Sequence, residues 1–274
     1  MTINCKGKLI DLTTPKVMGI LNLTPDSFFD GGKYTNENAI LNQVEKMLTD
    51  GATFIDVGAY SSRPGADFVS ETEELQRLLP IIALIDKKFP ETLISVDTFR
   101  AEVAKQSIET GAAIINDISA GKLDDNMLKT VANLQVPYIM MHMRGTPQTM
   151  QQLTNYDDIV KDLIFYFSER IQAAHNLGIT DVIIDPGFGF AKTLEQNYKL
   201  LNNLELLNIT EKPMLVGVSR KSMIYKLLQT TPQNALNGTT VLNTIGLQKG
   251  ASILRVHDVK EAVETVKLIQ NLNC

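Results

Sequence analysis

Short apolar runs recur along the chain, nearly continuous rather than alternating, and most of them end in a polar residue. They are KVMGILN (16–22), FIDVG (54–58), LISVDT (93–98), IINDIS (114–119), YIMMH (138–142), VIIDP (182–186), MLVGVS (214–219) and ILRVH (253–257). Rich in Ile, Val and Met, each reads as a parallel strand buried on both faces. Helical patterns lie between them. Over 75–85, Leu75, Leu78, Leu79, Ile82 and Ile85 share one face, with Pro80 predicting a kink or a late helix start. Over 159–174, Ile159, Leu163, Ile164, Phe167, Ile171 and Ala174 share another. Gly51, Gly111, Gly178 and Gly250 stand where C-terminal glycine caps belong. Strands alternating with helices at a spacing of roughly 34 residues predict an α/β fold, an eight-fold βα (TIM) barrel, with a doubly wound sheet as the other arrangement. No linker or composition shift divides the chain, so residues 1–274 read as a single domain.

The C-terminal ends of these strands carry Asn22, Asp56, Asp97, Asn116, His142, Asp185, Ser219 and the pair Arg255/His257. In a barrel they converge on one mouth, where barrel enzymes keep their active sites. One Asp at a strand end also starts turns or caps helices, so it is the joint pattern that predicts a site. Arg255 and His257 are two apart and face the same way on a strand, which predicts an anion clamp; the other reading is an arginine paired with a neighbouring carboxylate. His142 reads as packing beside Met140, Met141 and Met143, and His175 as a dipole contact at a helix C-terminus. The connections LTPDSFFDGGKYTN (23–36) and AYSSRPGADFVS (59–70) are long enough to be functional loops. Arg63, among Ser61, Ser62, Pro64 and Gly65, reads as an anion-binding residue or as a solvated arginine.

Charge narrows the partners. The 26 basic and 31 acidic residues among 274 give a net charge of −5 with no basic block, which argues against nucleic acid or an anionic membrane. Cys5 and Cys274 form no CxxC pair and read as incidental thiols of a reducing cytosol. The start MTINCKGKLIDL shows no signal-peptide pattern, and no apolar stretch approaches the roughly 18 residues of a membrane span, so a cytoplasmic protein is expected. DPGFGFAK (185–192) has Lys192 where a GxGxxG motif needs its last glycine. Neither Gly7-Lys8 nor Gly121-Lys122 completes a phosphate-binding P-loop, and HExxH and GxSxG are absent.

Several blocks together resemble the dihydropteroate synthase family: NLTPDSFFDGG (22–32), SSRPGA (61–66), SVDTFR (95–100), INDIS (115–119), MHMRGTPQTMQ (141–151), DPGFGFAKT (185–193), GVSRKS (217–222) and RVHDV (255–259). They span nearly the whole chain in the family's order. The resemblance implies an eight-fold barrel, usually a homodimer. It implies a Mg²⁺-dependent transferase of folate biosynthesis that joins 6-hydroxymethyl-7,8-dihydropterin pyrophosphate to p-aminobenzoate and releases pyrophosphate. By the same resemblance Asp97, Asn116, Asp185 and Lys221 hold the pterin, with Met140 and Gly217 as its apolar floor. Asn22, Ser62, Arg63, Arg255 and His257 bind the pyrophosphate, Asn22 also touching the metal. Phe28, Pro64, Phe190, Lys221 and Ser222 form the pocket for p-aminobenzoate, which sulfonamides mimic in this family. Asp97, Arg63 and Lys221 are the expected catalytic residues. The chain departs from the family's pattern at Ala59, Tyr60 (for an acidic residue), Ser62, Phe29 and Ala191 (for a glycine). Two alternatives fit a pterin site: a methyltetrahydrofolate-type methyltransferase and a non-catalytic pterin-binding paralogue. The first has no pyrophosphate to bind, so Arg63, Arg255 and His257 count against it. The intact set of polar residues counts against the second.

Overall fold

A computed structural model of the chain describes residues 1–23, 33–60 and 68–272. The chain begins with a hairpin, β1 (Thr2–Cys5) and β2 (Lys8–Asp11), antiparallel with Cys5 opposite Lys8. Its two-residue turn, Lys6-Gly7, has φ of 51° and 79°, the left-handed pair that suits the twist of the flanking strands and that glycine accepts most readily. The sequence reading did not anticipate this hairpin.

All eight anticipated strands then follow: β3 (Lys16–Asn22), β4 (Phe54–Gly58), β5 (Leu93–Asp97), β6 (Ile114–Asp117), β7 (Tyr138–Met141), β8 (Val182–Asp185), β9 (Leu215–Val216) and β10 (Ile253–Val256). They pair in parallel in the order β8-β7-β6-β5-β4-β3-β10-β9. A parallel bridge from Ile184 to Met214, with Ile184 N donating to Pro213 O at 2.9 Å, brings β8 beside the start of β9 and closes the ring. The helices α1 (Lys33–Thr49), α2 (Glu71–Lys88), α3 (Ala101–Thr110), α4 (Met127–Leu134), α5 (Ile159–Asn176), α6 (Leu194–Asn202), α7 (Ser222–Tyr225), α8 (Leu236–Gln248) and α9 (Val259–Leu272) alternate with them. This is the βα barrel rather than the doubly wound sheet. α2 starts at Glu71, not late: Ser70 caps it by accepting Glu73 N, and three glutamates in the first turn suit the helix dipole. The helix runs on through Pro80.

The period of two along each strand sorts its side chains. Val57, Val96, Ile115, Ile184 and Val216 face outward into the core shared with the helices. Phe54, Leu93, Ile114, Ile139, Ile183, Leu215 and Ile253 face inward at the base, where Ile3, Cys5 and Leu12 pack on them and close the barrel from below. One pleat higher, the inward positions turn polar. Register decides one expectation against the sequence reading. On β7, Met140 lies beside Asp117, whose carboxylate accepts from Tyr138 Oη at 2.5 Å on the outer side. Met140 is therefore part of the outer core and not the floor of the mouth. Met141, beside Asp185, faces inward and packs near Phe190.

Candidate active site

The inward polar layer centres on Asp56, which is fully buried. Its Oδ1 accepts from Ser95 Oγ at 2.6 Å. Its Oδ2 accepts from Asn116 Nδ2 at 3.2 Å and from Arg255 Nε at 2.6 Å. Arg255 Nη2 donates in turn to Asp97 Oδ2 at 2.8 Å, so one guanidinium joins two carboxylates across the barrel. Strand register makes this possible: Asp97 lies between Gly58 and Asn116, and Asn22 sits beside Gly58 on the other side. Arg255 is thus paired with carboxylates, the second of the two readings of its side chain. Two of its five N–H donors are engaged in this way.

Burial shifts three of the titratable groups at this mouth, Asp97, Asp185 and Lys221. It pushes the Asp97 carboxyl up, to about 7, against the pull of Arg255 and with the help of Asp56. Asp185 is raised by the same cause and held back by Lys221, while its Oδ1 accepts from Gly187 N at 2.7 Å. Lys221 is lowered to about 8 by burial, opposed by Asp185. Its Nζ donates to Phe188 O at 2.6 Å and lies 5.0 Å from the Phe190 ring centre. Two carboxyls raised by burial and an amine lowered by it at neighbouring positions are a common mark of a working site.

The third wall is the 217–222 turn. Gly217 carries no side chain where one would meet Arg255 Cβ and Lys221 Nζ at ordinary contact distance. Ser219 Oγ accepts from His257 N at 3.1 Å and shares a 3.0 Å hydrogen bond with His257 Nδ1, which orients that ring. Arg220, at φ 54°, grips Asp258 with two nitrogens at 2.7 and 2.9 Å and fixes the turn that carries Lys221 and Ser222. The fold thus brings Asp97, Asn116, Asp185, Lys221, Gly217 and Arg255 together at one mouth, with Asn22, His257, Phe190 and Ser222 around it. Phe28, Phe29, Ser62, Arg63 and Pro64 lie outside the described residues. Tyr60 is described: its hydroxyl accepts from Gln148 Nε2 at 2.9 Å and its ring meets Phe99 edge-on. His142 is buried as expected, edge-on to Tyr166, and His175 Nε2 lies 3.1 Å from Lys212 Nζ.

Sequence reasoning passed over three residues of this assembly. In the sequence Asp56 reads only as a strand-end polar residue, and Ser95 and Arg220 only as parts of blocks. The signal available for the first two was the period of two: Ser95 and Asp97 must share a face, and Asp56 sits beside Ser95 in the register. Among the described residues no three His, Cys, Asp or Glu side chains come together to hold a metal ion. Asn22, at the end of β3, offers one carboxamide oxygen, a donor type that suits a divalent cation as a single protein ligand and not as part of a protein-built cage.

Residues 18–257 match the family model described as "Pterin binding enzyme". The chain is 44% identical over 272 residues to the dihydropteroate synthase of Escherichia coli strain K12, covering 98% of this chain and 96% of that one. It superposes on the crystal structure of the Yersinia pestis dihydropteroate synthase with a sulfonamide drug complex at a TM-score of 0.93 and 42% identity, covering 100% of this chain and 99% of that one. On the Xanthomonas albilineans dihydropteroate synthase with 4-aminobenzoic acid the TM-score is 0.92 at 37% identity, covering 100% and 98%.

Proposed function

Since the chain belongs to the pterin-binding enzyme family, we infer from its likeness to the dihydropteroate synthases that it condenses 6-hydroxymethyl-7,8-dihydropterin pyrophosphate with p-aminobenzoate to 7,8-dihydropteroate, as a transferase of folate biosynthesis. The observation that carries this reading is the Arg255 guanidinium held between Asp56 and Asp97, with Lys221 and Asp185 beside it at the mouth.

The pterin edge offers ring N–H and amino donors with one carbonyl acceptor, which suits carboxylates beside a lysine. Asp97, Asn116, Asp185 and Lys221 hold that edge, and Met141 and Gly217 floor the ring. The remaining donors of Arg255, with His257, Asn22, Arg63 and Ser62, take the pyrophosphate, whose oxygens match an arginine fork. Asn22 would hold a Mg²⁺ ion, which when bound would supply positive charge to the pyrophosphate leaving group. In the reaction the C–O bond to pyrophosphate breaks, a C–N bond to the neutral amine forms, and the amine gives up a proton. Positive charge on the pterin methylene grows as the leaving group departs, and the Asp97 carboxylate stabilises it in a water-poor site. The rest of the rate comes from holding amine and methylene in line. Phe190, Ser222 and the stem of Lys221, with Phe28 and Pro64, receive p-aminobenzoate.

We also propose that the chain works as a homodimer in the cytoplasm. Among the described residues no helix is long and apolar enough to cross a membrane. The function is tested by giving the purified chain both substrates: dihydropteroate forms, EDTA stops it and added Mg²⁺ restores it. Pterin binding with no dihydropteroate formed under any of these conditions overturns the reading.

A further inference from the structure

We infer that Lys192 is a positioning residue for Lys221 and Phe190, holding from below the 186–191 turn on which both depend; the inference rests on the function just proposed. Lys192 is buried, 4% exposed, immediately before α6. Its Nζ reaches three acceptors: Gly187 O at 2.9 Å, Phe190 O at 3.0 Å and His142 Nδ1 at 3.0 Å. An ammonium fills all three contacts. A neutral amine still donates to both carbonyls and takes the third hydrogen from His142, so the grip on the turn is the same in either protonation state.

The two carbonyls bracket the residues that matter. Between them lies Phe188, whose carbonyl is the acceptor for Lys221 Nζ at 2.6 Å, and Phe190 carries the ring 5.0 Å from the same nitrogen. Of the turn's other ties, one comes from a distant side chain, Tyr156 Oη donating to Ala191 O at 2.9 Å. Gly187 N donates to Asp185 Oδ1, Gly189 N to Asn197 Oδ1 at 2.7 Å, and Phe190 N to Gly187 O at 3.1 Å. Its underside is pressed onto the end of β7, since a Cβ at Gly187 would stand 2.2 Å from His142 O. A capping box of Thr193 and Gln196 starts α6 at the next residue and fixes the lysine's own backbone.

A buried lysine is a costly way to fill space, and an apolar side chain of similar length would serve packing alone at less cost. What it supplies that methionine cannot is a pair of N–H bonds to the main-chain carbonyls of Gly187 and Phe190. Withdrawing them leaves Gly187 O and Phe190 O without those partners. The turn then loosens at the point where Phe188 O sets the stance of Lys221 and where the Phe190 ring meets p-aminobenzoate. Asp97, Asn116 and the pairing of β7 with β8 lie outside these contacts; Asp185 shares with the turn its hydrogen bond from Gly187 N.

The test compares Lys192→Met with Lys192→Gln, which keeps N–H donors, by amide hydrogen exchange and by steady-state kinetics. In Lys192→Met, exchange at Gly189 and Phe190 rises about tenfold while the β7 and β8 amides hold their rates. The KM for p-aminobenzoate rises about tenfold with pterin affinity within about twofold of the unaltered chain. Lys192→Gln recovers part of both effects, and it carries the same readouts if the Met variant fails to fold. Unchanged exchange at Gly189 and Phe190 overturns the inference, and so does an increase spread equally over β7 and β8. Loosening confined to the turn, in a chain that makes no dihydropteroate even when unaltered, upholds the anchor and overturns the proposed function instead.

Discussion

A carboxylate at the centre of a barrel, with no exposure to solvent, persists only because donors surround it, and Asp56 has three: Ser95, Asn116 and Arg255. The same logic of close fit governs the backbone at Gly187, which stands at φ 67° with His142 O where a side chain would begin. Gly187→Ala pays twice, in backbone strain and in displacement of β7, and is expected to lower stability by about 3 kcal/mol or more. Denaturant unfolding checks this, and a midpoint within error of the unaltered chain contradicts it. Single residues were unequally legible. Asp97, Asn116, Asp185 and Arg255 announce themselves as polar residues in the C-terminal part of an apolar run. Asp56 reads as one more strand-end residue, and Ser95 sits inside its run, where a small polar residue looks like ordinary variation until the register places it beside Asp56. Lys192 was visible only as the residue that spoils a glycine motif. Met140 was misplaced because adjacent methionines give no hint of which faces inward; only pairing with Asp117 and Asp185 decides it.

At the scale of elements, strands were legible to within two residues, except that β9 is shorter than the run 214–219 and survives as Leu215–Val216. The polar turn from Gly217 onward draws the chain away from the sheet to build the wall around Lys221. The hairpin β1–β2 went unread because four-residue strands carry too little alternation: Ile3 and Cys5 are the only buried members of β1. Its role is physical rather than chemical. It covers the apolar base of the barrel, opposite the mouth, and Ile3 is 1% exposed there. Ile3→Ala is therefore expected to cost about 2–4 kcal/mol of stability through the cavity it leaves, with both KM values unchanged. Altered KM values at intact stability would assign the hairpin to the site instead.

For the molecule as a whole, the barrel gathers charge at one end and shields it with the other, and its pH response follows. Asp97 works ionised, with its carboxyl raised to about 7, so kcat/KM falls as pH drops through that region. Lys221 works protonated, lowered to about 8, so kcat/KM also falls as pH rises past it. The expected profile is a narrow bell with its maximum between the two. A profile flat from pH 6 to 9, at roughly constant substrate saturation, contradicts the charge assignments. The central claim is that Asp97 lowers the barrier by meeting charge that exists only as pyrophosphate leaves. The direct measurement is Asp97→Asn, with kcat for dihydropteroate formation set against the dissociation constant for the dihydropterin pyrophosphate. A drop in kcat of about 10²–10³-fold beside a change in binding of a few-fold is the predicted result. Equal losses in the two quantities would contradict it and leave Asp97 as a residue that merely holds the pterin.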